Sequence, residues 1–181
     1  MNTVKIAVIV TFCALSIGTD YALVGVTNVK PMDFIVFIGG FLFGPLTGSL
    51  IGVFSWSIYG ALNPLGFEPR IWLATMFAES MYGIAGGLLG RALGTTDLSS
   101  QRPRLIVLFA SMGFLPTFLY DLATNIVYAS VFNVSIITAI FMGAPFAVLH
   151  EVANFIMFGV LSVPIIAALG KVMKGWQTRP T

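Results

Sequence analysis

No charged residue occurs between positions 34 and 67, and apolar runs of comparable character recur on both sides of that stretch. A helix needs about 20 mainly apolar residues to cross a bilayer, so the uncharged run is too long for a single helix. Gly44-Pro45 divides it, because proline lacks an N–H and disfavours helical backbone in the residue before it. The pattern then predicts helices at about 4–24, 31–44, 46–62, 70–93, 104–130 and 144–170. The third closes on Asn63-Pro64-Leu65-Gly66, and the longest hydrophilic piece, 94–104, separates the fourth from the fifth. Pro116 predicts a kink in the fifth. Residues 136–143 read as an interfacial piece, broken at Gly143-Ala144-Pro145 before the sixth helix begins.

Placing basic residues on this pattern gives an orientation. One side receives Lys5, Arg91, Arg102, Arg104, Lys171, Lys174 and Arg179, and the other only Lys30 and Arg70. By the positive-inside rule the first side is cytoplasmic, and both termini lie there. Composition agrees with a polytopic bundle. Of 181 residues, 57% are apolar and only 9% are charged, where a soluble domain has roughly a quarter of its residues charged. The reading is one all-α membrane domain over 1–181, a six-transmembrane-helix bundle in the plasma membrane. Nine basic residues and a net charge of +2 give no footprint for nucleic acid. Cys13, in an apolar run, carries no redox signal. Lys5 and the apolar run to Ile17 resemble a secretory signal, but no lipobox precedes Cys13 and no A-x-A site follows, so a retained first helix is expected.

Charges inside the spans need a reason, since each costs at least about 2.5–3.5 kcal/mol at mid-bilayer. Glu79, Asp121, His150 and Glu151 are such groups, with Asp20 near the outer end of the first helix. At a rise of about 1.5 Å per residue, Glu79 lies about 13 Å in from the outer start of its helix. Asp121 and Asn125 lie about 25–31 Å up from the cytoplasmic start of theirs, and His150 and Asn154 about 9–15 Å down from the outer side. Three helices thus bring polar groups to one depth. Thr117, Asp121, Asn125 and Tyr128 line one face of the fifth helix, His150 and Asn154 are four apart on the sixth, and Glu79 and Tyr82 three apart on the fourth. Glu151 is rotated about 100° from His150. Such groups can simply pair and hold helices together. Six of them at one level predict a hydrated substrate pocket of Glu79, Asp121, Asn125, His150, Glu151 and Asn154. The carboxylates outnumber the imidazole there, which favours a neutral or cationic ligand over an anion.

Catalysis finds little support. His150-Glu151-Val152-Ala153-Asn154 is close to H-E-x-x-H, but that zinc chemistry needs a second imidazole and the chain has one His. Neither G-x-S-x-G nor the phosphate-binding G-x-x-x-x-G-K-[ST] occurs. No catalytic residue, metal site or cofactor is expected, and ATP hydrolysis by this chain alone is not. Small residues recur at helical spacing: Gly40, Gly44, Gly48 and Gly52, then Gly83/Gly87 and Gly86/Gly90, predict close helix contacts. Ala7, Thr11, Ala14 and Gly18 form a similar stripe on the first helix, able to pack inside the bundle or to meet another membrane protein.

Taken together, these segments resemble the substrate-binding S component of energy-coupling factor (ECF) vitamin transporters. The resemblance rests on Asn28-Val29-Lys30-Pro31 leading through Met32-Asp33-Phe34 into the Gly-rich run Val36–Phe43, and on Gly44-Pro45 and Asn63-Pro64-Leu65-Gly66. Tyr120-Asp121 with Thr124-Asn125, and His150 with Asn154, extend it over nearly the whole chain. It implies capture of a vitamin or related ring-containing molecule near the outer face, by helices 4–6 and the loop between helices 1 and 2. It also implies a transmembrane T component and two cytoplasmic ATPases as partners, and carries over Asp121, Asn125, His150 and Asn154 as pocket residues. Metal-transporting members begin Met-His, whereas this chain begins Met1-Asn2-Thr3. Two other readings stay open: a proton-coupled carrier using Glu79 and Asp121 as relay groups, and a structural membrane subunit.

Overall fold

The computed structural model describes residues 3–64, 66–94 and 102–177. Leu65, most of the predicted hydrophilic stretch, Met1-Asn2 and Arg179 lie outside them. The described chain is all-α: α1 Thr3–Ala22, α2 Pro31–Phe43, α3 Pro45–Ala61, α4 Pro69–Leu93, α5 Arg102–Phe132 and α6 Ile136–Gln177. Three helical stretches, Thr3–Ala22, Pro103–Phe132 and Ile136–Lys171, are long and apolar enough to cross a membrane. Burial is distributed as lipid would require. Phe141, Leu46 and Ile137 are 75%, 71% and 69% exposed, while Asp33, Glu79 and Asn154 are fully buried. Apolar groups outside and charges inside invert the order that water imposes.

Glycine sets the architecture of α2, α3 and α4. Gly44 alone joins α2 to α3, at φ +93° and ψ 163°, a backbone state closed to other residues without strain. A Cβ at Gly40 would strike the carbonyl of Gly83, and one at Gly83 would strike the backbone of Gly48. Further along, a Cβ at Gly52 would lie 2.8 Å from the Glu79 carbonyl oxygen. The recurring glycines therefore mark a contact of three backbones, the packing predicted from their spacing. Gly83→Val should force these helices apart. We expect a loss of at least about 1–3 kcal/mol, read as a lower thermal midpoint in detergent; an unshifted midpoint would contradict the packing.

Proline at N1 starts α2, α3 and α4. Glu68 caps α4, accepting a hydrogen bond from the Ile71 N–H at 2.8 Å, and this donor, with Arg70 nearby, holds its carboxyl below the usual range. Beneath the polar level lies an aromatic core. Phe34 and Phe37 meet Phe158 with ring centroids 5.2 and 5.0 Å apart, and Phe109 packs edge-on to Phe37 at 6.1 Å.

The predicted break before the sixth helix is not observed. α6 starts at Ile136 and runs through Pro145 and Pro164. Ser135 supplies the start signal: its hydroxyl accepts from the Thr138 N–H at 3.0 Å and its carbonyl from Ala139 at 2.9 Å. Gly143 is a packing point, because a Cβ there would collide with the Asn125 side chain of α5. Proline is tolerated within apolar helices that neighbours support.

Candidate functional site

At the end of the bundle that carries Lys30 and Arg70, α2, α4, α5 and α6 enclose a polar cluster centred on His150. Both imidazole nitrogens face carboxylates. Nε2 lies 2.6 Å from Asp33 Oδ2, and Nδ1 lies 3.2 Å from each oxygen of Asp121. A neutral imidazole has one N–H. The line Asp121–His150–Asp33 therefore needs one shared proton beyond the neutral ring's own to satisfy both contacts.

Asn154, one turn along α6, ties this line to a second one. Its amide donates to Asp33 Oδ2 at 2.6 Å and to Thr117 Oγ1 at 2.8 Å. Thr117 also accepts from the Tyr82 hydroxyl at 2.9 Å and donates to the Gly113 carbonyl at 2.6 Å. Gly113 makes the approach possible, since a Cβ there would strike the Asn154 carbonyl. Tyr82, Thr117, Asp33, His150 and Asn154 are at most 1% exposed. The hydrogen bonds of this buried network fix α2, α4, α5 and α6 to one another, although Asn154 Oδ1 has no hydrogen-bond partner among the described residues.

Asp121, His150 and Asn154 thus come together as their depth on the helices suggested, and Glu79 joins them beside Asp33 and Tyr82. Glu79 is fully buried, and its carboxyl has no hydrogen-bond partner other than the neighbouring Asp33 carboxyl. Two predicted members stand apart. Asn125 gives its amide to the Asp121 backbone carbonyl at 2.7 Å and packs on Gly143, because α6 offers no polar partner at that level. Glu151 is half-buried and makes no hydrogen bond among the described residues, in keeping with its rotation away from His150.

The sequence reading missed Asp33, the acceptor shared by His150 and Asn154. It stands in the first turn of α2, where a carboxylate is ordinarily a helix-terminus charge. Here α2 is buried from Met32 through Phe41 on almost every residue, so even its first turn is interior. Asp20 closes the same region by accepting from the Met32 N–H at 2.9 Å.

Two cavities lie at this end of the bundle, neither of them lined by Asp33, Asp121, His150 or Asn154. One of about 310 Å³ is lined by Trp56, Trp72, Thr75, Tyr128, Phe132 and Glu68, among others. The other, about 250 Å³, lies under the α1–α2 connection, between Asp20, Lys30, Tyr59 and Phe146. Asn28 ties that connection down, donating to the Phe146 carbonyl at 2.6 Å.

The class defined so far is an all-helical protein with helices fit to cross a membrane and an interior polar site. No protein-family model matches the sequence, and no solved structure matches the fold.

Proposed function

We propose that the protein is the substrate-capture subunit of an ECF-type importer. In this reading it spans the plasma membrane six times, with cytoplasmic termini, and binds a small ring-containing nutrient near the outer face. The carrying observation is the buried polar cluster of α2, α4, α5 and α6, with two cavities walled by ring systems at the same end of the bundle. Pockets of this kind, mostly apolar with a few convergent polar groups, suit small organic ligands. A T component and two ATPases would supply the energy, consistent with the absence of a phosphate-binding motif in the sequence. The stripe on α1 supports such a partner: Ala7, Thr11, Ala14 and Gly18 are all exposed, while Ile9, Cys13, Ser16 and Asp20 face the bundle.

One observation favours a second reading. The line Asp121–His150–Asp33, with Glu79 beside it, is a chain of titratable groups suited to a proton relay. Uptake separates the two. Cells expressing this chain with a T component and ATPases should accumulate the substrate, and cells lacking every T component should not. Uptake that persists without them and collapses with the proton gradient would select the carrier.

Topology has its own test. Cysteines in the 94–104 stretch should react only with reagent on the cytoplasmic side, and those around Asn63 only from outside. The reverse pattern would put the proposed pocket on the wrong side for capture.

A further inference from the structure

Lys30 ends the connection between α1 and α2, and its ammonium lies over two aromatic rings. Nζ is 5.0 Å from the ring centroid of Trp56 on α3 and 5.3 Å from that of Tyr120 on α5. Those rings stand nearly perpendicular to one another, 6.1 Å apart, and Tyr59 extends the wall from Trp56 at 5.3 Å. Such a corner is how proteins hold organic cations, because the negative faces of the rings converge on one point. Trp56 and Tyr120 are buried; Lys30 is half-buried, with its stem at the rim of the 250 Å³ cavity.

The ammonium makes these two ring contacts and no hydrogen bond among the described residues. It forms no salt bridge among the described residues, although Asp20, Asp33 and Glu79 are all within its electrostatic reach. Meanwhile Asp20 Oδ2 is buried without a hydrogen-bond partner, and Asp33 Oδ1 and the Glu79 carboxyl, side by side, have no partner but each other. Buried carboxyl oxygens call for donors. The lysine brings positive charge to the aromatic corner but no N–H to these atoms. Its flexible four-carbon stem, rooted in a surface connection, can swing out to water.

We propose that this site takes a small organic cation, a ring compound with a charged nitrogen and N–H donors. Lys30 is then a tethered stand-in, occupying the cation's place on Trp56 and Tyr120 until the ligand displaces it. The inference rests on the capture reading and narrows its substrate class. A ligand of this kind would set its charge on the rings and its donors against these buried carboxyl oxygens. An organic cation fits better than a metal ion, since no group of three His, Cys, Asp or Glu able to hold a metal occurs among the described residues.

The test compares wild type, Lys30→Met and Lys30→Arg in lipid nanodiscs, titrated with benzyltrimethylammonium, benzyl alcohol and benzoate. Tryptophan fluorescence reads binding, since Trp56 and Trp72 line the adjoining cavity. Benzyltrimethylammonium should bind wild type, and Lys30→Met about tenfold more tightly because the competitor is gone. Lys30→Arg, which keeps a competing cation, should gain nothing, and benzoate should bind none of them. Thermal melts report folding, with Lys30→Gln as the substitute if the Met variant melts early. Unchanged or weakened cation binding in a folded variant without the lysine charge would overturn the proposal. So would benzoate binding that depends on Lys30, which would make the lysine an anion ligand and leave the capture reading intact. Failure of the cation to bind either protein also overturns it. A small molecule retained by the purified protein would then still separate a wrong substrate class from a wrong function.

Discussion

Replacing Asp33 with alanine should destabilise the protein by about 3–5 kcal/mol, the usual cost of removing one member of a buried charged pair. Asp33 Oδ2 receives both His150 Nε2 and the Asn154 amide at 2.6 Å, and all three side chains are at most 1% exposed. Alanine would leave His150 Nε2 and one N–H of the Asn154 amide facing a void, with only the Asp121 and Thr117 contacts of those side chains remaining. Asp33→Asn preserves volume and one carbonyl acceptor, so its loss should be smaller. Unfolding in detergent, followed by denaturant titration, measures both. A double-mutant cycle with His150→Gln should show strong non-additivity, since the two residues share one interaction. Additive effects, or an Asp33→Ala variant as stable as wild type, would mean that the cluster does not hold α2 to α6.

Ala14→Trp should abolish uptake while leaving ligand binding at the wild-type level. Ala14 is exposed on α1 and borders an apolar groove of about 430 Å³, formed with Ile9, Val10, Ile17, Phe54 and Ile58. Lipid supplies no hydrophobic drive for helix association, so a partner must gain its affinity from close packing over small side chains. An indole at this position would hold the partner off, and dispersion contacts fade steeply with separation. Among the described residues α1 packs chiefly on α2 and α3, and Ala14 lies about 9 Å along α1 from Asp20, the group of this helix that borders the site, so the site should be undisturbed. The readouts are co-purification with a T component, uptake, and ligand binding by the isolated variant. Loss of binding together with assembly would place α1 in the core of the site.

Much of the helical architecture was legible because apolar length and proline are strong signals. Gly44-Pro45 marked the α2–α3 joint correctly, and the spacing of Gly40, Gly48 and Gly83 marked where backbones touch. The start of α6 was misread because Pro145 and Gly143 were weighed as breakers, while Ser135 went unnoticed as a cap. Within the polar cluster, periodicity identified the faces of α5 and α6 that meet. It could not tell where along those faces a partner waits. Asp121 finds His150, whereas Asn125, one turn on, meets a glycine. Asp33 and Lys30 were hidden for a different reason. Each lies at a helix boundary, where a charge ordinarily faces water, and only the tertiary burial of α2 turns that boundary inward.

Native mass spectrometry of the purified protein tests the central claim most directly. After growth in rich medium and gentle extraction, wild type should carry a single small molecule of one defined mass in one-to-one ratio. Asp33→Ala, which dismantles the cluster, should carry none. Wild-type protein that is bare under the same conditions, or an adduct equally abundant in both proteins, would contradict capture at this site.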